Sequence, residues 1–263
     1  MRQSTNELAG QVAWVHGAYG AVGLAIAQEL VRAGARVVLS GRDPAATNDA
    51  AAQCGDASQA EALAVDITRD EEVYAAAAQI EERHGRIDIL VNSAGVNPSK
   101  RHFRDLSVQD WKNTVDVNLS GMFYTCQATL RGMRERKSGV IVNISSWTGR
   151  FAAYFGGPAY TSTKRATLAL TEMINMEECI HGIRATSIAP AGIDTPILNK
   201  RAKPPTPEVR AALLKPQDLA DMTRYIAGLP PHVCINEILM SPTLNSNYLG
   251  EFETQKRPPA ASA

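Results

Sequence analysis

Residues 11–34 read QVAWVHGAYGAVGLAIAQELVRAG. QVAWVH has the composition of a short buried strand, Gly17-Ala-Tyr19-Gly20-Ala-Val22-Gly23 that of a turn, and LAIAQELVRAG that of a helix closed by Gly34. A strand, glycine turn and helix in that order let the backbone approach a pyrophosphate, whose charge settles at the helix N-terminus where free N–H groups point outward. Glycines also mark ordinary tight turns. Placement directly after the first strand gives this cluster its weight.

Working outward, a second strand over Ala35 to Ser40 leads into Gly41-Arg42-Asp43. In dinucleotide folds an acid at the end of this strand binds the ribose 2′-hydroxyl, whereas an arginine accommodates a 2′-phosphate. Gly41 stands where the acid is expected and Arg42 follows, which favours NADP(H), with NAD(H) as the alternative. Asp43 next door weighs against this, as does reading Arg42 as a solvated loop charge. Pro44 to Glu61 is polar and Ala-rich, a surface helix and loop. ALAVD then ends at Asp66, with Ile67 after it, and a helix spans Asp70 to His84. IDILVN delivers Asn92-Ser93-Ala94-Gly95 at the next strand end. Strands alternating with helices predict an α/β fold: a doubly wound, Rossmann-like parallel sheet of about seven strands with helices on both faces. Each candidate so far falls at a strand's C-terminal end, where such sheets place their chemistry.

Leu106 to Arg136 is helical in pattern but interrupted around Val115-Asp-Val-Asn118-Leu-Ser-Gly121. Asn, Ser and Gly are locally unfavourable there. They imply either a kink or an Asn118 side chain turned inward to hold water. Val140 to Ile144 is an apolar strand ending in Ser145-Ser146, followed by a Gly- and aromatic-rich loop and then Tyr160-Thr-Ser-Thr-Lys164 at the start of a helix running to about Cys179. Residues four apart share a helix face. A phenol is a poor base at neutral pH, but a nearby ammonium favours the phenolate, so Lys164 is expected to lower the Tyr160 pKa. A serine hydroxyl beside them can hold a carbonyl or alcohol oxygen. GIRATSIAP is the next strand, ending in Pro190-Ala-Gly192-Ile193-Asp-Thr195. Residues 196–216, rich in proline, form either a mobile lid with at most one short helix or a plain surface excursion. Gln217 to Leu229 is a helix and VCINEILM the last strand. Residues 1–250 are expected to form one domain and 251–263 a flexible tail.

The 263 residues carry no formal net charge and are 44% hydrophobic, so no global field points to nucleic acid or to a membrane surface. No apolar run is long enough to span a bilayer and the N-terminus lacks a signal-peptide core, so the expected address is cytoplasmic. Four dispersed cysteines form no C-x-x-C pair, and five scattered histidines give no metal-site spacing, so no metal is expected.

In order along the chain stand the glycine turn, Asp66, N-S-A-G, Asn118, I-S-S, Y-x-x-x-K and the turn after Pro190. With these motifs the sequence resembles the short-chain dehydrogenase/reductase family from about Gln11 to Thr243. The resemblance implies an NAD(P)-dependent oxidoreductase moving a hydride between nicotinamide and a carbonyl or secondary-alcohol carbon of a small molecule. It implies Tyr160 as general acid/base, Lys164 as the group that lowers its pKa and holds the nicotinamide ribose, Ser146 as the group that positions the reacting oxygen, and Asn118 as a water anchor. It also implies cofactor contacts from Gly17, Tyr19, Gly20, Val22, Gly23, Arg42, Asp66, Ile67, Asn92, Ala94, Gly95, Tyr160, Lys164, Pro190, Ile193 and Thr195, and a homo-oligomer, dimer or tetramer, with Leu168, Leu170 and Ile174 on its helix faces. His16 replaces the family's usual threonine and Ala21 its middle glycine. Trp147, Phe151, Tyr154, Phe155, residues 96–103 and the 196–216 loop are expected to wall the substrate pocket, with Arg150 as a carboxylate partner or a solvated charge. The alternative function is a catalytically silent dinucleotide-binding regulator. An epimerase or dehydratase acting on a nucleotide sugar would need a longer C-terminal substrate region.

Overall fold

The structure, a computed structural model, describes residues 6–200, 204–245 and 248. Seven parallel strands form one sheet in the order β3-β2-β1-β4-β5-β6-β7. They are β1 (Val12–His16), β2 (Arg36–Gly41), β3 (Ala60–Ala64), β4 (Ile89–Asn92), β5 (Gly139–Ile144), β6 (Ile183–Pro190) and β7 (Glu237–Met240). The helices between them are α1 (Ala21–Arg32), α2 (Pro44–Ala52), α3 (Asp70–His84), α4 (Val108–Val115), α5 (Gly121–Arg136), α6 (Trp147–Arg150), α7 (Gly157–Glu178), α8 (Pro207–Ala211) and α9 (Pro216–Ala227). The chain winds outward from β1 to β3, then returns to β4 on the other side of β1, so the topological switch lies between β1 and β4.

Alternate residues of each central strand feed opposite cores. Ala13, Val15, Ile89, Val91, Val140 and Val142 join α1, α2 and α9 on one face. Trp14, Leu90 and Ile141 join α3 and α5 on the other. Sheets covered on both faces require strands that are apolar throughout, and β1 and β5 are fully buried along their lengths.

Several expected boundaries shift. Gly41 belongs to β2, and β3 begins at Ala60, inside the stretch read as surface loop, because Val37 to Gly41 pair with Ala60 to Ala64. β7 is only its last four residues. Val233 closes a turn onto the Pro230 carbonyl at 2.9 Å, and pairing with β6 starts only beyond Asn236. The interrupted helix is continuous: α4 and α5 are joined by a π-helical turn, Asp116–Ser120. The 196–216 stretch holds a 3₁₀ turn at Pro196–Lys200 and the short α8. The 251–263 tail and residues 201–203 lie outside the described residues.

Candidate active site

At the switch point β1 and β4 deliver two turns that pack directly on each other. Gly17 has φ +69°, and a Cβ there would lie 2.6 Å from the Ala94 nitrogen, so both conformation and space demand glycine. A Cβ on Gly23 would lie 2.3 Å from the Gly17 carbonyl oxygen. The turn closes despite Ala21: the Gly20 N–H donates to the Gly17 carbonyl at 3.0 Å, and α1 starts at Ala21. No side chain caps that helix, so its first N–H groups and the positive end of its dipole face outward, the arrangement that suits a phosphate. Val22, in the first turn of α1, is partly buried and packs against the core on that face of the sheet.

Tyr19 lies over the end of β2, where a Cβ on Gly41 would sit 2.3 Å from its ring. Gly41 is therefore the space the aromatic ring needs. Arg42 is exposed and has no hydrogen bond or ion pair among the described residues. The Asp43 carboxylate accepts from the Ala45 and Ala46 N–H groups as the cap of α2, so it is committed to that helix. Asp66 accepts from the Thr68 N–H and hydroxyl through Oδ1, at 3.0 and 2.8 Å. Ile67 packs onto α5 where a Cβ on Gly121 would come within 2.8 Å of it, which accounts for that mid-helix glycine.

The Asn92 side chain is taken up by the fold. It is buried in the core, donating to Asn143 Oδ1 at 2.9 Å and accepting from the Thr125 hydroxyl at 2.7 Å. Asn143 in turn donates to the Thr171 hydroxyl at 3.0 Å. Strand alternation points Asn92 at α5, and only its backbone reaches the cradle.

The chemical groups gather where β5 meets α7. The Ser145 hydroxyl donates to the Lys164 carbonyl at 2.7 Å, which leaves Ser146 as the serine free to serve the site. Ser146 caps α6, its oxygen accepting from the Thr148 N–H at 3.3 Å. Gly149 permits this turn to lie on α7, since a Cβ would come 2.5 Å from the Lys164 carbonyl oxygen. The Lys164 ammonium is buried and donates to the Ile144 carbonyl at 2.6 Å, 5.8 Å from the centre of the Tyr160 ring. Across from it is Gly95, where a Cβ would sit 3.3 Å from Lys164 Nζ, so the cradle and the chemical groups share one wall.

The expected direction of the Tyr160 shift is reversed. Burial raises its pKa, while the adjacent Ser146 hydroxyl and the charge of Arg101 pull the other way. Burial also pulls Lys164 down to about 8. A poorly solvated site disfavours phenolate and ammonium alike, and at Tyr160 that outweighs the pull of Ser146 and Arg101.

Asn118, in the π-helical turn, does face inward, but its side chain clasps the chain after β4. It accepts from the Val96 N–H at 2.8 Å and donates to the Val96 carbonyl at 2.9 Å and to the Thr163 hydroxyl at 3.2 Å. Those bonds occupy the amide, so the side chain serves the loop after β4.

After β6, Ala191 donates to the Met240 carbonyl, and Ile193 bridges to Leu214. Asp194 pairs with Arg210 at 3.1 Å and Lys215 at 2.9 Å. The 196–216 excursion thus leaves from and returns to a zipped stem, and the Thr195 carbonyl accepts from the Leu198 N–H at 3.0 Å. Trp147 is buried against Phe151 and Tyr248, while Tyr154 stacks on His102. A cleft of about 730 Å³ opens beside the start of α7, lined by His102, Phe103, Tyr154, Pro158 and Thr161 among others. A smaller cleft of about 450 Å³ lies at the opposite end of the strands and includes no expected site residue. Arg150 faces Glu237 at 3.8 Å, away from the serine–tyrosine pair. Leu168 is core, and Leu170 and Ile174 pack against the core of the same protomer.

Two residues at the site carry no sequence signal of their role. Arg101 is one charge in a polar loop, and only the fold places it near Tyr160. His16 is visible as a departure from the family pattern, but its complete burial, which pulls its pKa down to about 3, is not.

The family profile described as short chain dehydrogenase matches residues 11–205. This chain belongs to the short-chain dehydrogenase family. An uncharacterized oxidoreductase of Staphylococcus saprophyticus is 36% identical to this short-chain dehydrogenase over 238 residues, covering 90% of this chain and 99% of the relative. The crystal structure of a metagenomic short-chain oxidoreductase in complex with NADP is 32% identical, with TM-score 0.75, covering 91% of this chain and 100% of the other. The closed form of serine dehydrogenase complexed with NADP+ is 27% identical, with TM-score 0.80 and coverage of 90% and 96%. No helix among the described residues is long and apolar enough to cross a membrane.

Proposed function

We propose that this short-chain dehydrogenase reduces a carbonyl of a small molecule with NADP(H), Tyr160 being the proton donor. What carries this is the phenol, with the Ser146 hydroxyl beside it and buried Lys164 one helical turn on, all against the wall shared with the glycine cradle. The cradle fits a dinucleotide, because an uncapped helix N-terminus, Gly17 and Gly23 together leave room where a Cβ would collide with backbone. When bound, the nicotinamide supplies or accepts the hydride at the substrate carbon. Tyr160 gives its proton to the substrate oxygen. A phenol is protonated at neutral pH, and burial holds Tyr160 further in that form, so it stands ready as the acid when the carbonyl is reduced and takes the proton back in the reverse direction. Ser146 holds the same oxygen, and Lys164 offers the positive charge that the departing proton leaves wanted. Asn118 fixes the loop at Val96, and with it one side of the pocket. Arg42, free and exposed at the end of β2, suits a 2′-phosphate, and the NADP bound to two solved relatives accords with that. The 196–216 segment acts as a lid over the substrate, and the protein works as a homo-oligomer in the cytoplasm.

Tyr160→Phe should bind NADPH with wild-type affinity by fluorescence titration and lose about 10²–10⁴-fold in turnover. Retained turnover would remove Tyr160 from its role. Tighter binding of NADH than NADPH in the same titration would reassign the cofactor.

A further inference from the structure

Arg101 lies in the chain between β4 and α4, close enough to Tyr160 for its charge to act on the phenol. Its guanidinium is steered by two backbone carbonyls, Ser99 at 3.5 Å and Phe155 at 3.3 Å. Its backbone is equally fixed: Gly157, with φ +68°, lies so close that a Cβ would come 2.2 Å from the Arg101 carbonyl oxygen. Tyr160 is one helical turn beyond that contact. No carboxylate pairs with Arg101 among the described residues.

The acids nearest it in the sequence are engaged elsewhere. Asp105 faces Arg104, and Asp110 accepts from the Ser107 hydroxyl. The second cation facing Tyr160, Lys164, is likewise without a protein carboxylate and bonds the Ile144 carbonyl. A half-buried, oriented guanidinium with donors to spare and no acid of its own is a receptor for an anion, and its planar fork matches a carboxylate.

We propose that Arg101 binds a carboxylate of the substrate, so that this enzyme acts on an oxo acid or hydroxy acid in preference to a neutral ketone or alcohol. This rests on the oxidoreductase function proposed above. Arg150, turned toward Glu237, has no part in it. The rim from His102 to Phe103 and Tyr154 receives the remainder of the substrate.

The test compares kcat/KM for short 3-oxo acids and for their methyl esters, with NADPH, in wild type, Arg101→Gln and Arg101→Lys. Wild type should favour the acid by at least about tenfold, Arg101→Gln should reduce the acid-to-ester ratio by at least about tenfold, and Arg101→Lys should keep part of it. Calorimetry of the same acid with NADP+, a pair that cannot react, should show binding to wild type and its loss in Arg101→Gln. The tyrosine-dependent arm of the pH profile should also move upward in Arg101→Gln, which a mere brace for the Phe155 loop would not produce. Equal use of acid and ester, or an acid preference surviving Arg101→Gln in a folded variant, overturns the proposal while leaving the oxidoreductase intact. Turnover of no oxo acid, ester or neutral carbonyl overturns both.

Discussion

At neutral pH His16 is an uncharged ring with both nitrogens buried and without hydrogen-bond partners among the described residues, 4.2 Å from the Trp14 ring. Burial alone pulls its pKa from 6.5 to about 3. Below pH 6.5 the unfolded chain takes up a proton that the folded chain refuses. This contribution to stability is therefore complete above pH 6.5 and is lost at about 1.4 kcal/mol per pH unit as pH falls toward 3. His16→Leu should flatten the acid limb of a urea-derived stability profile by one proton and leave stability at pH 7 equal or higher, since two unpaired polar atoms disappear. An unchanged acid limb would mean the ring is hydrated or paired. Order along the chain was enough to anticipate that Ser146, Tyr160 and Lys164 come together where β5 meets α7. Directions of titration were not legible in it, because they depend on how much water the finished pocket admits.

Among the connecting turns, two glycines illustrate two different demands. Gly85 ends α3 with φ +76° and open space around it, so Gly85→Ala meets only the left-handed backbone penalty, about 1–2 kcal/mol. Gly23 has no special φ, but its missing Cβ is where the Gly17 carbonyl sits. Gly23→Ala must move backbone, and we expect it to cost about 1–3 kcal/mol in chemical denaturation and to weaken NADPH binding as well. Loss of stability without loss of binding would separate the turn from the cofactor. The glycine turn was legible in the sequence as a motif. The reason for Gly41 was not, because it answers to a ring from another turn. Nor was the committed state of Asn92 and Asn118, whose hydrogen-bond partners are 22 or more residues distant along the chain. Asp43 is the opposite case, a local helix cap that chain order alone could have identified.

Over the whole molecule, the excursion between Thr195 and Pro216 is tethered at its base by Asp194 between Arg210 and Lys215. Asp194→Ala leaves those cations unpaired and frees the stem, so limited proteolysis should cut within 196–216 several-fold faster than in wild type, while thermal unfolding of the sheet shifts little. Equal cutting rates would show that the Ile193–Leu214 bridge holds the stem alone. The sheet and its doubly wound plan followed from alternation along the chain, since the apolar runs were long and evenly punctuated. Strand ends such as those of β3 and β7 escaped because their extent is set by the partner strand. The polar ladder from Asn92 through Asn143 to Thr171 bears on a further question, how such similar strands avoid mispairing. Val, Ile and Leu would satisfy one another in several registers, but a slip of β4 against β5 would strand amide groups in hydrocarbon at a cost of about 1–3 kcal/mol each. The ladder thus works as a key: it discriminates against wrong alignments more than it strengthens the right one.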